Sequence, residues 1–276
     1  MTELWRLSGA GNDFLAVVPP GEPPTETLVR RWCRRGVSLG ADGVLHLEPG
    51  DPVSLRYWNA DGTPADLCLN GTRCAAQLLF HLGWREESAE IRTGAGTLRA
   101  RRAGPSEVAL EVPILPERPR PVEIDLGDGA IRGWFLEVGV PHLVVPWEGD
   151  LTGCPVARLG PPLRSHPAVG PSGANVDFVH LVGRRDFEIR SYERGVESET
   201  LACGTGVLAA AAVGLHREEL ELPTTARTRG GFDLEISGET DGGAIRHWSL
   251  RGDARVLARI EVRDEAVDQP ARPDTV

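Results

Sequence analysis

The chain has 276 residues and a formal net charge of −10, enough length for one large domain or two of ordinary size. That acidity argues against nucleic acid as a partner, because phosphate binding needs a basic surface. No apolar run reaches the roughly 18 residues of a membrane span, and the opening around Glu3 does not read as a secretory leader. The expectation is a cytoplasmic protein whose five cysteines stay reduced and do not form a disulfide framework.

In chain order, Ser8-Gly-Ala-Gly-Asn-Asp-Phe14 leads into the apolar residues 15–18, which read as a buried strand. The basic run at residues 30–35 reads as a solvated helix face, and Gly40-Ala-Asp-Gly43 reads as a turn. Residues 53–58 form a strand, and a helix opens near Cys68-Leu-Asn-Gly-Thr-Arg-Cys74. Strands follow at residues 91–99, 107–112 and 131–138. The Pro-rich residues 113–121 hold no regular element and serve as the linker.

Beyond the linker the chain repeats itself. Residues 172–178, Ser-Gly-Ala-Asn-Val-Asp-Phe, echo residues 8–14, and residues 187–192 form an alternating strand like residues 53–58. A second helix opens near Cys203-Gly-Thr-Gly206. Cys68 lies 11 residues after Tyr57, and Cys203 lies 11 after Tyr192. The step from Ser8 to Ser172 is longer than that from Cys68 to Cys203, which puts extra chain between the two motifs of the first half. Strands at residues 232–236, 247–250 and 255–262 complete the pattern.

These elements give an α+β fold of two pseudo-symmetric domains, each a curved, mainly antiparallel β-sheet or barrel around a central helix. The expected boundaries are residues 1–116 and 117–253. The final strand, about 254–264, returns to the first half.

A helix N-terminus attracts anions such as a substrate carboxylate and lowers the pKa of a cysteine placed there. One such cysteine suggests a nucleophile. Two, one in each half, suggest proton transfer: if the halves face each other, a thiolate on one side removes an α-proton while a thiol on the other delivers one. The N–H groups of both helix starts would hold the carboxylate and stabilise charge that builds on it. Cys33, Cys74 and Cys154 read as core, the usual place of a lone cysteine. No CxxC or HxxxH spacing supports a zinc site.

Gly9-Ala-Gly-Asn-Asp-Phe14, Gly40-Ala-Asp-Gly43, Asn59-Ala-Asp-Gly-Thr63, Cys68-x-Asn-Gly-x-Arg-Cys74, Pro141-His142, Glu193-Arg-Gly195 and Ala202-Cys-Gly-Thr-Gly206 together resemble the diaminopimelate epimerase family. The resemblance runs from residue 5 to about 262 and implies the family's diaminopimelate epimerase-like fold. It further implies stereoinversion at an amino-acid α-carbon without pyridoxal phosphate or any other cofactor, a small-molecule substrate and a homodimer. LL-diaminopimelate would become meso-diaminopimelate in lysine and peptidoglycan precursor synthesis.

Carried over by position, the resemblance makes Cys68 and Cys203 the paired acid and base, and puts backbone N–H groups of Leu69, Asn70, Gly204 and Thr205 on the reacting carboxylate. Asn12, His142 and Glu193 fall near the reacting centre. Asn59, Asn175 and Arg194 fall at the far end of the substrate, where a guanidinium suits a carboxylate; an asparagine in such stretches also forms turns. Leu69 replaces a glycine and Val140 an asparagine of the usual pattern, and the loop from Glu193 to Cys203 is one residue longer. These departures touch the pocket wall and spare the catalytic pair. Three other readings are a racemase of another polar or cationic amino acid, a proline-racemase-like isomerase, and a non-catalytic binding or thiol redox protein.

Overall fold

The computed structural model describes residues 2–127, 129–241 and 244–263. Two compact units emerge, Met1–Val108 with Ala254–Val276, and Ala109–Asp253. The division falls between Val108 and Ala109, ahead of the Pro-rich stretch. Residue 264 of the expected final strand lies outside the described residues.

The first unit runs β1 (Thr2–Gly9), β2 (Asn12–Val17), α1 (Glu26–Cys33), β3 (Gly43–Glu48), β4 (Val53–Asn59) and β5 (Pro64–Ala65). It continues with α2 (Leu69–His81), β6 (Ser88–Thr93) and β7 (Gly96–Gly104), and β8 (Glu107–Glu111) leads out of it. The second unit runs β9 (Arg120–Asp125), β10 (Ala130–Val138), β11 (Val140–Pro146), α3 (Val156–Arg164), β12 (Asn175–Leu181) and β13 (Asp186–Glu193). Then come β14 (Ser198–Thr200), α4 (Gly204–His216), β15 (Thr224–Thr228), β16 (Asp233–Asp241) and β17 (Ala244–Asp253). The last strand, β18 (Arg255–Val262), pairs antiparallel with β1 in the first unit.

The two units share one topology. In the first, β1 and β2 are antiparallel, β2 and β3 parallel, β3 and β4 antiparallel, β4 and β6 parallel, and β6 and β7 antiparallel. In the second, β10 to β13, β15 and β16 repeat that series of senses in the same order. Parallel neighbours need a crossover, and each unit uses its two helices for this. The register agrees as well. Tyr57 lies opposite Leu45 and Ala65, and Tyr192 lies opposite Val176 and Glu199.

This topology corrects one half of the repeat. Residues 8–14 span the β1–β2 turn, whereas residues 172–178 lead into β12, the counterpart of β3. The segment equivalent to Gly173-Ala-Asn175 is therefore Gly40-Ala-Asp42, and the step between those two nearly equals the step between the cysteines. The first half carries no extra chain, because α1 has its match in α3. The misleading likeness arose because strand-entry turns draw on the same Gly, Asn and Asp residues. Residues 91–99 are likewise two strands, with Thr93 opposite Gly96 closing a tight hairpin.

In each unit the second helix is the centre. Every residue of α2 from Leu69 to Phe80 is buried, and α2 touches β1, β2, β3, β4, β6, β7 and β18. The helix α4 is buried at Gly204 and from Gly206 to Gly214. A helix apolar on nearly all sides is stable only when strands wrap it. On the opposite face of the first sheet, α1 packs Val29, Trp32 and Cys33 against Leu15, Val17 and Val44. The matching core of the second unit joins Val156 and Leu163 of α3 to Val176, Phe178 and Tyr192. No helix among the described residues is long and apolar enough to cross a membrane.

Candidate active site: two helix starts

Cys68 and Cys203 occupy the same place in their units. Each is the N-cap of the central helix, in extended backbone conformation, and each thiol accepts the N–H of the glycine three residues on, at 3.4 Å. A cysteine thus stands where Ser, Thr, Asp or Asn usually caps a helix, and its sulfur lies against the positive end of the helix. Leu69 and Gly204 open the two helices. Leu69 is helical and buried, so its side chain turns inward and costs no left-handed strain.

Two residues past Cys68, Asn70 joins a chain of side-chain hydrogen bonds. Asn70 Nδ2 donates to Asn12 Oδ1 at 2.6 Å, and Asn70 Oδ1 accepts from the Arg73 guanidinium at 2.7 Å. Asn12 Nδ2 in turn donates to Asp42 Oδ2 at 3.0 Å. Alternation along β2 explains the reach of Asn12: Leu15 and Val17 face α1, while Asn12 shares the other face with Phe14. Asp42 also accepts the Asp13 N–H and the Arg35 guanidinium. Burial raises the Asp42 pKa, but bonds from Asn12, Arg35 and the Asp13 N–H outweigh it and hold the carboxyl below its usual range.

Around Cys203 the neighbours are acids. His142 is fully buried on β11, with Nδ1 2.7 Å from Asp177 Oδ2 on adjacent β12. Ser191, the cross-strand partner of Asp177 on β13, donates to Asp177 Oδ1 at 2.6 Å. Glu193 follows two residues later on the same face of β13; it accepts from Thr200 Oγ1 and is hydrogen-bonded to Cys203. The Thr205 hydroxyl lies 3.5 Å from Cys203 Sγ. The first turn of α4 sits so close to this strand face that a Cβ at Gly206 would stand 2.3 Å from Asp177 Oδ1. Only glycine fits there.

The electrostatics of Cys203 correct the expectation of an easily formed thiolate. Burial pushes the thiol well above its ordinary value, and the charges of Glu193 and Asp177 push it further. The Thr205 hydroxyl and the Gly206 N–H act against this and lose. The helix start is present, but desolvation and like charge are stronger. Burial, then the charge of Asp177, also raises Glu193, with the Thr200 hydroxyl opposing.

The remaining predicted residues have mixed placements. Asn59 takes part in a turn: its Nδ2 donates to Thr63 Oγ1 at 3.2 Å and its carbonyl accepts the Gly62 N–H at 2.9 Å. Asn175 is buried, and its Oδ1 accepts the backbone N–H of Arg194 at 2.8 Å. The Arg194 guanidinium donates to Ser172 O at 3.2 Å. Cys33, Cys74 and Cys154 are buried; burial pushes Cys33 up to about 12, helped by Asp42 and Asp13, and Cys154 up to about 11. Sequence reasoning passed over Asp42, Arg73, Asp177 and Ser191. The first three stand inside quoted motifs, but nothing in a linear motif says which side chain holds which.

The diaminopimelate epimerase family model matches residues 5–108 and 134–256. A diaminopimelate epimerase of Gemmatimonas aurantiaca is 38% identical over 93% of this chain and 98% of its own length. One of Aquifex aeolicus is 35% identical over 87% and 91%. Among solved structures, a probable proline racemase of Agrobacterium radiobacter K84 superposes with a TM-score of 0.72 at 17% identity, covering 97% of this chain and 94% of that one. A PhzF-family phenazine biosynthesis protein of Bacillus anthracis gives 0.73 at 14%, covering 95% and 99%. At such identities these structures speak for the fold alone. The chain belongs to the diaminopimelate epimerase family.

Proposed function

We propose that the chain converts LL-diaminopimelate to meso-diaminopimelate, by a two-base reaction that uses Cys68 and Cys203 and no cofactor. The observation that carries this reading is the repeat itself. Two units of one topology each place a cysteine as N-cap of the central helix, with a backbone N–H on its sulfur.

In the reaction, the thiolate of one cysteine takes the α-proton, and the thiol of the other gives its proton to the opposite side of the carbanion. The configuration inverts and the two cysteines exchange protonation states, so the next turnover in the same direction follows a proton exchange with solvent. Burial beside Glu193 and Asp177 keeps the proton on Cys203 in the resting chain. For the isomer whose α-hydrogen faces Cys68, Cys68 is the base and Cys203 the acid, and for the other isomer the roles reverse. N–H groups of Leu69, Asn70, Gly204 and Thr205 take the α-carboxylate, where they also stabilise the carbanion. Asn12, His142 and Glu193 shape the reacting centre, while Asn59, Asn175 and Arg194 take the distal amino-acid group. The working form is a homodimer in the cytoplasm.

The test is α-proton exchange in D₂O with diaminopimelate and a panel of other L-amino acids. Exchange with diaminopimelate accompanied by inversion, the inversion being lost in Cys68→Ser and in Cys203→Ser, is the expected result. Exchange confined to another amino acid would reassign the substrate. Inversion that survives loss of either thiol would reject the two-base chemistry.

A further inference from the structure

We propose that Asp42 and Arg73 are positioning residues that set, from opposite ends of a relay of two carboxamides, which edge of Asn12 and of Asn70 donates and which accepts. The proposal rests on the function given above to Asn12 and Asn70, and it adds what orients them.

The relay runs Arg73, Asn70, Asn12, Asp42, with separations of 2.7, 2.6 and 3.0 Å. A carboxamide has two edges of nearly equal shape, one with an oxygen acceptor and one with two N–H donors, and either can turn toward a given neighbour. The ends of this chain remove that freedom. A guanidinium has only donors, so Asn70 must turn its oxygen to Arg73. The Asn70 nitrogen is then left for Asn12, which must answer with its own oxygen. Asn12 has its nitrogen left for Asp42, and an ionised carboxylate has only acceptors. Each step forces the next.

Both ends are suited to this task. Arg73 is fully buried on α2, one turn from Cys68, where its stem cannot swing. Asp42 stands immediately before β3, and the Asp13 N–H at 3.1 Å and Arg35 at 2.7 Å fix its two oxygens. The outcome is that Asn12 keeps one N–H, and no freedom to flip, for whatever binds beside Cys68. Turning either amide over would put nitrogen against nitrogen or oxygen against oxygen somewhere in the relay, which loses hydrogen bonds at buried groups.

The test reads the side-chain amide resonances of Asn12 and Asn70 by NMR in the full chain, with kinetics alongside. Asp42→Asn keeps the shape of the residue but supplies donors as well as acceptors, so the direction of the relay is no longer imposed. The expected result is a change in the Asn70 amide resonances, passed on through Asn12, and a KM raised about tenfold with kcat nearly unchanged. Arg73→Lys keeps a donor-only group and should retain most of the wild-type pattern, whereas Arg73→Gln should not. If Arg73→Gln fails to fold, Asp42→Asn and Arg73→Lys carry the test. An Asn70 amide that stays put in Asp42→Asn, or a KM that stays put while the resonance moves, overturns the proposal. A wild-type chain with coupled amides but no α-proton exchange on diaminopimelate instead overturns the proposed function and leaves the relay standing.

Discussion

The helix start in the first unit and the helix start in the second share backbone geometry and differ in charge. Cys68 caps α2 beside an amide relay tied to Arg73 at one end and Asp42 at the other. Cys203 caps α4 beside Asp177 and Glu193, with His142 held by Asp177. The same N–H to sulfur distance of 3.4 Å occurs in both; at Cys203 the thiol is raised in spite of that N–H, so the helix end alone does not decide how a thiol titrates. Burial and the charges on neighbouring strands do. The repeated topology supplies the frame, and around Cys203 the strand residues add burial and negative charge to it.

Removing either sulfur is the most severe way to probe this comparison. Cys68→Ser and Cys203→Ser should each lower the rate of epimerisation by at least about 10²-fold, the low end for general acid–base groups. Circular dichroism should show both variants folded. An undiminished rate in one of them would mean that the two helix starts are not partners in one reaction.

A paired glycine experiment separates the two first turns. Gly206→Ala drives a methyl into Asp177 and should cost about 1–3 kcal/mol in urea denaturation, with loss of exchange activity. Gly71→Ala meets Leu45 Cδ2 at 3.2 Å and Cys68 Sγ at 3.4 Å, so it should cost less than its counterpart. Equal costs would show that Asp177 yields, and that the tight packing at α4 is not the constraint.

Glu193→Gln removes one of the charges that raise the Cys203 thiol. The pH profile for alkylation of Cys203 should therefore move to lower pH. The stability of the fold should change in a linked way. A carboxyl raised in the fold stabilises below its ordinary pKa, and that contribution is lost as the pH rises through the raised value. Relative to wild type, Glu193→Gln should accordingly gain stability on the alkaline side, measured by thermal melts across pH. A profile for Cys203 that moves upward instead would contradict the charge assignment.

The smallest effect concerns how the two central helices end. Past α2 the chain turns through Gly83 with φ of 69°, while past α4 it turns through Glu218 with φ of 59°. Glycine adopts this left-handed conformation without the Cβ penalty. Glu218→Gly should stabilise the fold by about 0.5–1 kcal/mol, read as a modest rise in Tm, and leave exchange activity unchanged. A loss of stability would show that the Glu218 side chain contributes more than its backbone costs.

Much of this was legible in order along the chain. The alternation of residues 187–192, the turn residues before each strand and the Ala-rich run after Cys203 are local signals, and local backbone preferences act on them directly. The equal spacing from Tyr57 to Cys68 and from Tyr192 to Cys203 marked the pair because the strand, loop and helix between them are built alike. The echo of residues 8–14 in residues 172–178 misled for a related reason, since short glycine-rich turns recur wherever strands begin. The sequence by itself thus determined the elements, the two cysteines and their membership of one repeat.

Tertiary structure alone decided what surrounds each sulfur. Asp177, Ser191 and His142 are far apart along the chain, and they meet because β11, β12 and β13 are neighbours with alternating faces. Asp42, Asn12, Asn70 and Arg73 meet because α2 lies on the face of β2 that carries Asn12. A pKa depends on burial and on charges a few ångströms away, and neither is a property of spacing along the chain. For that reason the chain could announce Cys203 as a helix cap, while only the fold could show that its proton is held tightly.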